Sequence, residues 1–149
     1  FDIITMFGAI EHVSNPGVIL KQIYRLLRPG GLLYMDTPNF NSLTRFILGS
    51  KWRVFHLEHS CYFTAACIMD LLKKIGFSNV HVKSGNLSII EMKSNLFIHS
   101  GGVKDVQDKE QVLRRRIEDS VFLRLSKHLC NMFLDFLKAG DTLYIYAEK

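Results

Sequence analysis

The chain has 149 residues, 48% of them hydrophobic and 22% charged, with 3 prolines, which is the make-up of one globular domain and excludes disordered, collagen-like and coiled-coil classes. It carries 19 Lys and Arg against 14 Asp and Glu, a net charge of +5 that on its own would suit an anionic partner. The excess is spread thinly: residues 1–60 hold six basic and four acidic groups and residues 103–138 eight and six, and the one tight run, Arg114-Arg115-Arg116, is followed directly by Glu118 and Asp119. A solvated helix face explains that run better than a nucleic-acid patch.

Cys61, Cys67 and Cys130 are odd in number and fit no metal-ligand spacing. Their apolar neighbours predict buried free thiols, hence a reducing, cytoplasmic compartment. No apolar run approaches the roughly 18 residues that a membrane span requires, so no membrane association is expected.

In chain order, Phe1 to Met6 reads as a nearly continuous apolar strand, the pattern of a strand buried on both faces of a parallel sheet. Asn15 is a helix N-cap, Pro16 takes the first helical position, and Leu20, Ile23, Tyr24 and Leu27 recur at i, i+3, i+4 and i+7. Arg28-Pro29-Gly30-Gly31 ends that helix, and Leu32 to Asp36 forms a second apolar strand. Strand, helix and strand within 36 residues make a βαβ unit with parallel strands.

Thr37 to Phe63 is irregular and aromatic-rich, with a short helix over Leu43 to Leu48. An excursion of that length beyond a strand's C-terminal end is more often functional than idle. Thr64 caps a helix carrying Ile68, Leu71, Leu72 and Ile75 on one stripe, closed by Gly76; Val80 and Val82 then alternate with His81 and Lys83 as a half-buried or edge strand. From about Lys109 to Lys138 a long helix carries Leu113, Ile117, Val121, Leu125, Leu129, Met132, Phe133 and Phe136 on a stripe expected to pack against the domain. Gly140-Asp141 breaks it, and Thr142 to Ala147 is a final strand.

Alternating strands and helices place this chain among α/β folds, in which ligands bind beyond the C-terminal ends of the strands. At those ends stand Phe7 to His12 and Asp36 to Asn39. Phe1-Asp2-Ile3-Ile4-Thr5 running into Ile10-Glu11-His12-Val13, then Leu27-Arg28-Pro29-Gly30-Gly31-Leu32 and Asp36-Thr37-Pro38-Asn39, resemble the second half of a class I S-adenosylmethionine-dependent methyltransferase of the type 11 and type 23 kind. Trp52, Phe55-His56-Leu57-Glu58-His59 and Tyr62-Phe63-Thr64 resemble a subgroup often linked with polysaccharide, quinone or other small-molecule methylation, and Gly140-Asp141-Thr142-Leu143 matches the turn into the last strand.

The resemblance implies a Rossmann-like sheet of which strands four to seven are present, the last antiparallel, with a helical insertion at 84–138. Residues 1–149 are then the C-terminal portion of one domain. The family's Gly-x-Gly loop, whose bare N–H groups hold the cofactor, occurs nowhere in the chain. Three βα units, about 90–100 residues, would supply it, and without them the chain is expected to bind the cofactor weakly and not to turn over. The implied reaction is methyl transfer from S-adenosylmethionine to a small-molecule acceptor by in-line displacement.

By the same resemblance Met6, Phe7 and Gly8 line the cofactor's methionine and sulfonium region, and His12 orients cofactor or acceptor. His56, Glu58 and His59 put imidazoles around a carboxylate and are the candidate catalytic groups, since an imidazole titrates near neutrality. The same three could ligate a divalent metal, but ligands one and two residues apart in a loop are weak evidence, and no metal site is expected. Asp36, Asn39 and Trp52 are the candidate acceptor-binding residues, with Phe40, Phe46 and Phe55 as a roof. The structural alternatives are that Glu11 and His12 only begin a turn and that Asp36 only caps its loop. Two other readings stand beside methyl transfer to a small molecule: a non-catalytic assembly module, paired as a homodimer through the open Phe1–Met6 strand, and methylation of a nucleic acid, which the dispersed charge disfavours.

Overall fold

The computed structural model describes residues 1–87 and 121–149, the side chains of 121–127 excepted. Four strands form one sheet in the order β1-β2-β4-β3. β1 (Ile3–Met6) runs parallel to β2 (Leu32–Pro38), with Ile3 opposite Leu32 and Met6 opposite Met35. β4 (Thr142–Glu148) lies antiparallel between β2 and β3 (Ser78–Gly85), pairing Ile145 with Met35 on one side and with Val82 on the other. The mixed α/β sheet with an antiparallel last strand is the expected architecture.

The helices begin and end where their caps require. α1 (Pro16–Leu26) starts at Asn15, whose side chain accepts from the Val18 N–H, and α3 (Ala65–Ile75) starts at Thr64, whose hydroxyl accepts from the Cys67 N–H and ends on a left-handed Gly76. α2 (Leu43–Leu48), with Ser42 as its cap, has the bounds read from the sequence. The stripe Leu20, Ile23 and Leu27 from α1 and Ile68 and Leu72 from α3 packs on Leu33, Met35, Leu143, Ile145 and Ala147, the inward set of β2 and β4. Each such side chain, fully buried, contributes about 1.5–3 kcal/mol. The opposite face carries Tyr34 stacked on Tyr146 with ring centres 4.6 Å apart and Phe7 edge-on to Tyr34. Burial, and after it the hydrogen bond and charge of Tyr146, raises the Tyr34 hydroxyl above its ordinary value.

Four expectations are corrected. β1 is not buried on both faces: Ile4 and Met6 pack on the core while Ile3 is exposed, because among the described residues only β2 pairs with it and only one face is covered. The apolar stripe of the long helix, α4 (Val121–Leu137), does not face the domain where its side chains are described. Leu129, Met132, Phe133 and Phe136 are exposed, and the side toward β3 is carried by Leu134, Asp135 and Lys138. Periodicity identifies an apolar face but not what lies beneath it. The cysteines are free, but only Cys61 is half-buried; Cys67 sits on the outer face of α3 and Cys130 on the exposed side of α4. β2 also runs on through Thr37 to Pro38, so Asp36 lies within the strand. The part of the helix expected before Val121, with Leu113 and Ile117, lies outside the described residues.

α4 is fastened to the sheet through polar contacts. The Ser84 N–H donates to Asp135 Oδ1 at 2.7 Å, and Lys138 Nζ donates to the same oxygen at 2.7 Å and to the Val82 carbonyl. Gly140 then crosses β3 so closely that a Cβ there would stand 2.5 Å from the Gly85 nitrogen, which is why the crossing residue has no side chain.

Candidate active site

The site lies at the C-terminal ends of the parallel pair β1 and β2. After Met6 the chain turns through Gly8, whose φ of +51° favours glycine and whose N–H donates to Asp36 Oδ1 at 2.7 Å. This bond fixes the gap between the two strand ends. A single 3-10 turn, Ile10–His12, follows; Ile10 is buried and so is Glu11, at 4% exposure. A buried carboxylate needs donors, and Thr37 Oγ1 provides one to Glu11 Oε2 at 3.1 Å.

The loop between α2 and α3 folds back over this turn. The Cys61 N–H donates to the Glu11 carbonyl at 3.0 Å, and the Phe40 N–H to the Phe63 carbonyl at 2.8 Å. His12 Nδ1 is 2.9 Å from the Glu58 carbonyl. A carbonyl only accepts, so Nδ1 carries a proton and Nε2 is the ring nitrogen left to face a ligand. The His12 and His59 rings meet edge-on with centres 4.7 Å apart, and His56 stands 5.8 Å from His59. His59 Nδ1 is buried and has no hydrogen-bond partner among the described residues. One ligand atom each from Glu11, His12 and His59 lie within 4.8 Å of one another. Glu58 itself is outside this corner: its carboxylate is exposed, 3.9 Å from His56 Nδ1.

Next to the histidines is an aromatic cluster. Tyr62 contacts His59 (6.3 Å between centres), Phe55 (5.6 Å) and Phe40 (5.9 Å), and Phe55 meets the buried Trp52 edge-on at 5.3 Å. The Arg45 guanidinium lies 3.9 Å over the Phe40 ring. Phe46, expected among these rings, is exposed and makes none of the contacts described.

A family model described as "Methyltransferase domain" matches residues 1–82, just over half of the chain and every residue of this corner. The chain belongs to the methyltransferase-domain family. Among curated relatives, this methyltransferase domain is 32% identical over 90 residues to a ubiquinone biosynthesis O-methyltransferase of Cereibacter sphaeroides, covering 56% of the chain and 36% of that protein. It is 39% identical over 41 residues to the Pseudomonas putida protein of the same name, covering 28% and 18%. The chain thus spans about a third or less of the length of these relatives. Among solved structures, a SAM-dependent methyltransferase from Thermotoga maritima superposes over the whole chain and 56% of its own (TM-score 0.58, 18% identity). Phosphoethanolamine N-methyltransferase 2 of Haemonchus contortus, in complex with S-adenosyl-L-methionine, does so over the whole chain and 33% of its own (0.55, 17%). At those identities the likeness is one of fold.

Within the methyltransferase domain the candidate residues fall into four groups. Met6, Phe7 and Gly8 line the exit from β1, with Phe7 exposed and Asp36 bonded to the Gly8 N–H, while His12, His56 and His59 converge. Trp52 is buried beneath Phe55. Asn39 is fully buried, and its amide donates to the carbonyls of Lys138 and Gly140 at 2.8 Å each and accepts from the Asn41 N–H. Its polar atoms are committed to joining β2 to the α4–β4 turn. Glu11 and Thr37, both buried and bonded to each other, join this corner beyond the residues expected from the sequence. The signal was available: Leu33, Met35 and Thr37 alternate inward along β2, and a Glu-His pair directly after a parallel strand faces the same corner.

Proposed function

We propose that this domain forms the acceptor side of an S-adenosylmethionine-dependent methyltransferase acting on a hydroxyl of a quinone-like small molecule. The observation that carries this reading is the meeting of His12, His56 and His59 with the aromatic cluster Tyr62, Phe55 and Phe40, at the ends of β1 and β2. Rings suit a planar acceptor, and the imidazoles suit the one proton that must leave it. The identity to the ubiquinone biosynthesis O-methyltransferases supports oxygen as the acceptor atom.

Methyl transfer asks little covalent work of the protein. The acceptor oxygen's electron pair forms the new O–CH3 bond in line with the breaking S–CH3 bond, whose pair returns to sulfur and leaves a neutral thioether. Catalysis then rests on alignment and on removal of the hydroxyl proton. In this reading Met6, Phe7 and Gly8 border the methyl donor, largely through backbone, with His12 between donor and acceptor. His59 and His56 take the proton, with Glu58 at the rim beside His56. Asp36 and the cluster over Trp52 hold the acceptor, and Asn39 acts on the site only by fixing the end of β2.

The test is incubation of the native gene product with S-adenosylmethionine and two acceptor sets, catechols and primary amines, followed by mass spectrometry. An O-methylated catechol, reduced at least tenfold in His59→Ala, is expected. Methylation confined to amines, or an unchanged rate in His59→Ala, overturns the reading.

A second reading rests on β1, which pairs on one side only among the described residues and exposes Ile3. Such an edge is a template for a second copy. Light scattering that finds a monomer at high concentration removes it.

A further inference from the structure

We propose that Glu11, His12 and His59 form a binding site for a divalent transition-metal ion. Two imidazole nitrogens and one carboxylate oxygen are the donor set that suits Zn2+, Fe2+ or Co2+, and a three-ligand site leaves positions open. This departs from the sequence expectation of no metal, and it does so because the fold brings Glu11 and His12 up to His59 and leaves the Glu58 carboxylate exposed.

Three independent features converge on it. The ligand atoms already lie within 4.8 Å of one another, so an ion at about 2.0–2.2 Å from each requires them to close by about 1 Å, within the reach of small side-chain rotations. Two of the three ligands already have an orienting partner: Thr37 holds one oxygen of Glu11, and the Glu58 carbonyl holds His12 Nδ1, leaving Nε2 as the donor. Metal-bound histidine and carboxylate are commonly supported this way, and loss of such a support costs 10–100-fold in affinity. Finally, His59 Nδ1 is a buried nitrogen without a hydrogen-bond partner among the described residues, and it stands near the buried Glu11. Within a protein such an atom is costly unless something else satisfies it.

The ion's role rests on the methyl-transfer reading. An acceptor hydroxyl filling an open position loses its proton to water more easily, as metal-bound water does, and the resulting oxygen attacks the methyl carbon. His59 then acts on the proton through the ion it holds, and His56, which is not among the ligands, is left as the free imidazole beside it. The ion also fixes the oxygen in place for the in-line approach.

Binding is tested without reference to activity by titrating the native protein with CoCl2 and following visible d–d absorption. One Co2+ per chain is expected, with bands between about 500 and 650 nm characteristic of low-symmetry nitrogen and oxygen coordination. His59→Ala and the exposed His12→Ala should weaken binding at least 100-fold, and Thr37→Val about tenfold, with His81→Ala, a surface histidine of β3, unchanged. Glu11→Gln is read only if its circular dichroism matches the parent, and the two histidine variants carry the test otherwise. Absent bands, or equal effects from His81→Ala and His59→Ala, overturn the site. Co2+ binding at these residues without methyl transfer retains the site and sinks the methyl-transfer reading; methyl transfer that survives chelation, without Co2+ binding, does the reverse.

Discussion

Thr37 and Glu11 are joined by a buried hydrogen bond of 3.1 Å that ties the inward face of β2 to the turn after β1. Neither residue has solvent to fall back on. Thr37→Val keeps the shape and deletes the donor, so it should destabilise the fold by about 1–3 kcal/mol in urea unfolding, while Thr37→Ser recovers most of that. Equal stability in all three proteins would mean that the carboxylate has another donor.

Asn39 gives a sharper test because its amide donates twice and accepts once with no exposure. Asn39→Asp is nearly isosteric but sets a carboxylate against the carbonyls of Lys138 and Gly140. A loss of about 3 kcal/mol or more is expected at neutral pH, larger than that of Asn39→Ala, and acidification should reduce the difference by restoring one donor. If Asn39 instead served chiefly to hold acceptor, Asn39→Asp would alter KM and leave the melting temperature in place.

The orientation of α4 is testable by a pair of substitutions. Leu134 is 3% exposed and Phe136 is 83% exposed. Leu134→Ala should cost about 2–5 kcal/mol, and Phe136→Ser, despite removing the larger side chain, less than about 0.5 kcal/mol. The sequence stripe assigned the reverse weighting to Phe136.

Asp135 makes the attachment of α4 depend on pH. Burial disfavours its charge, but the hydrogen bonds from Lys138 and from the Ser84 N–H outweigh that and hold its carboxyl below the ordinary value. A group depressed in the folded state contributes stability above its unfolded pKa and loses it as pH falls through the folded one. Stability should therefore decline below about pH 4 with a contribution of about 1 kcal/mol or less from this partly exposed pair, and Asp135→Asn should lack that contribution at neutral pH. Denaturant midpoints at pH 7 and pH 3 for both proteins decide it.

Much of the fold was legible because local chemistry and global packing agree. Asn15-Pro16, Thr64 and Gly76 mark helix ends by capping, and the i, i+3, i+4 stripes of α1 and α3 do face the sheet. The same pattern misleads on α4, where the apolar residues lie opposite the polar contacts that attach it. At the site, the loop histidines were recognisable as a cluster, and Glu11 was recognisable as a residue at a strand end, but not that the two meet: Glu11 and Cys61 are 50 positions apart, and the Glu11 carbonyl meets the Cys61 N–H only after the loop returns. Asn39 looked like a site residue for a related reason. A polar side chain at a strand end is equally suited to ligand and to loop, and only the positions of Lys138 and Gly140, 99 and 101 residues away, distinguish the two.

β4 comes last in sequence of the four described strands, yet it lies between β2 and β3. During synthesis those two strands leave the ribosome well before the segment that will join them, and each waits with a backbone edge open. Closure of the sheet therefore depends on contacts of large sequence separation, made late, which favours slow folding and a long interval of exposure to chaperones. A stalled chain released before Thr142 should present those edges persistently, and limited proteolysis of such intermediates would find β2 and β3 susceptible together rather than in turn.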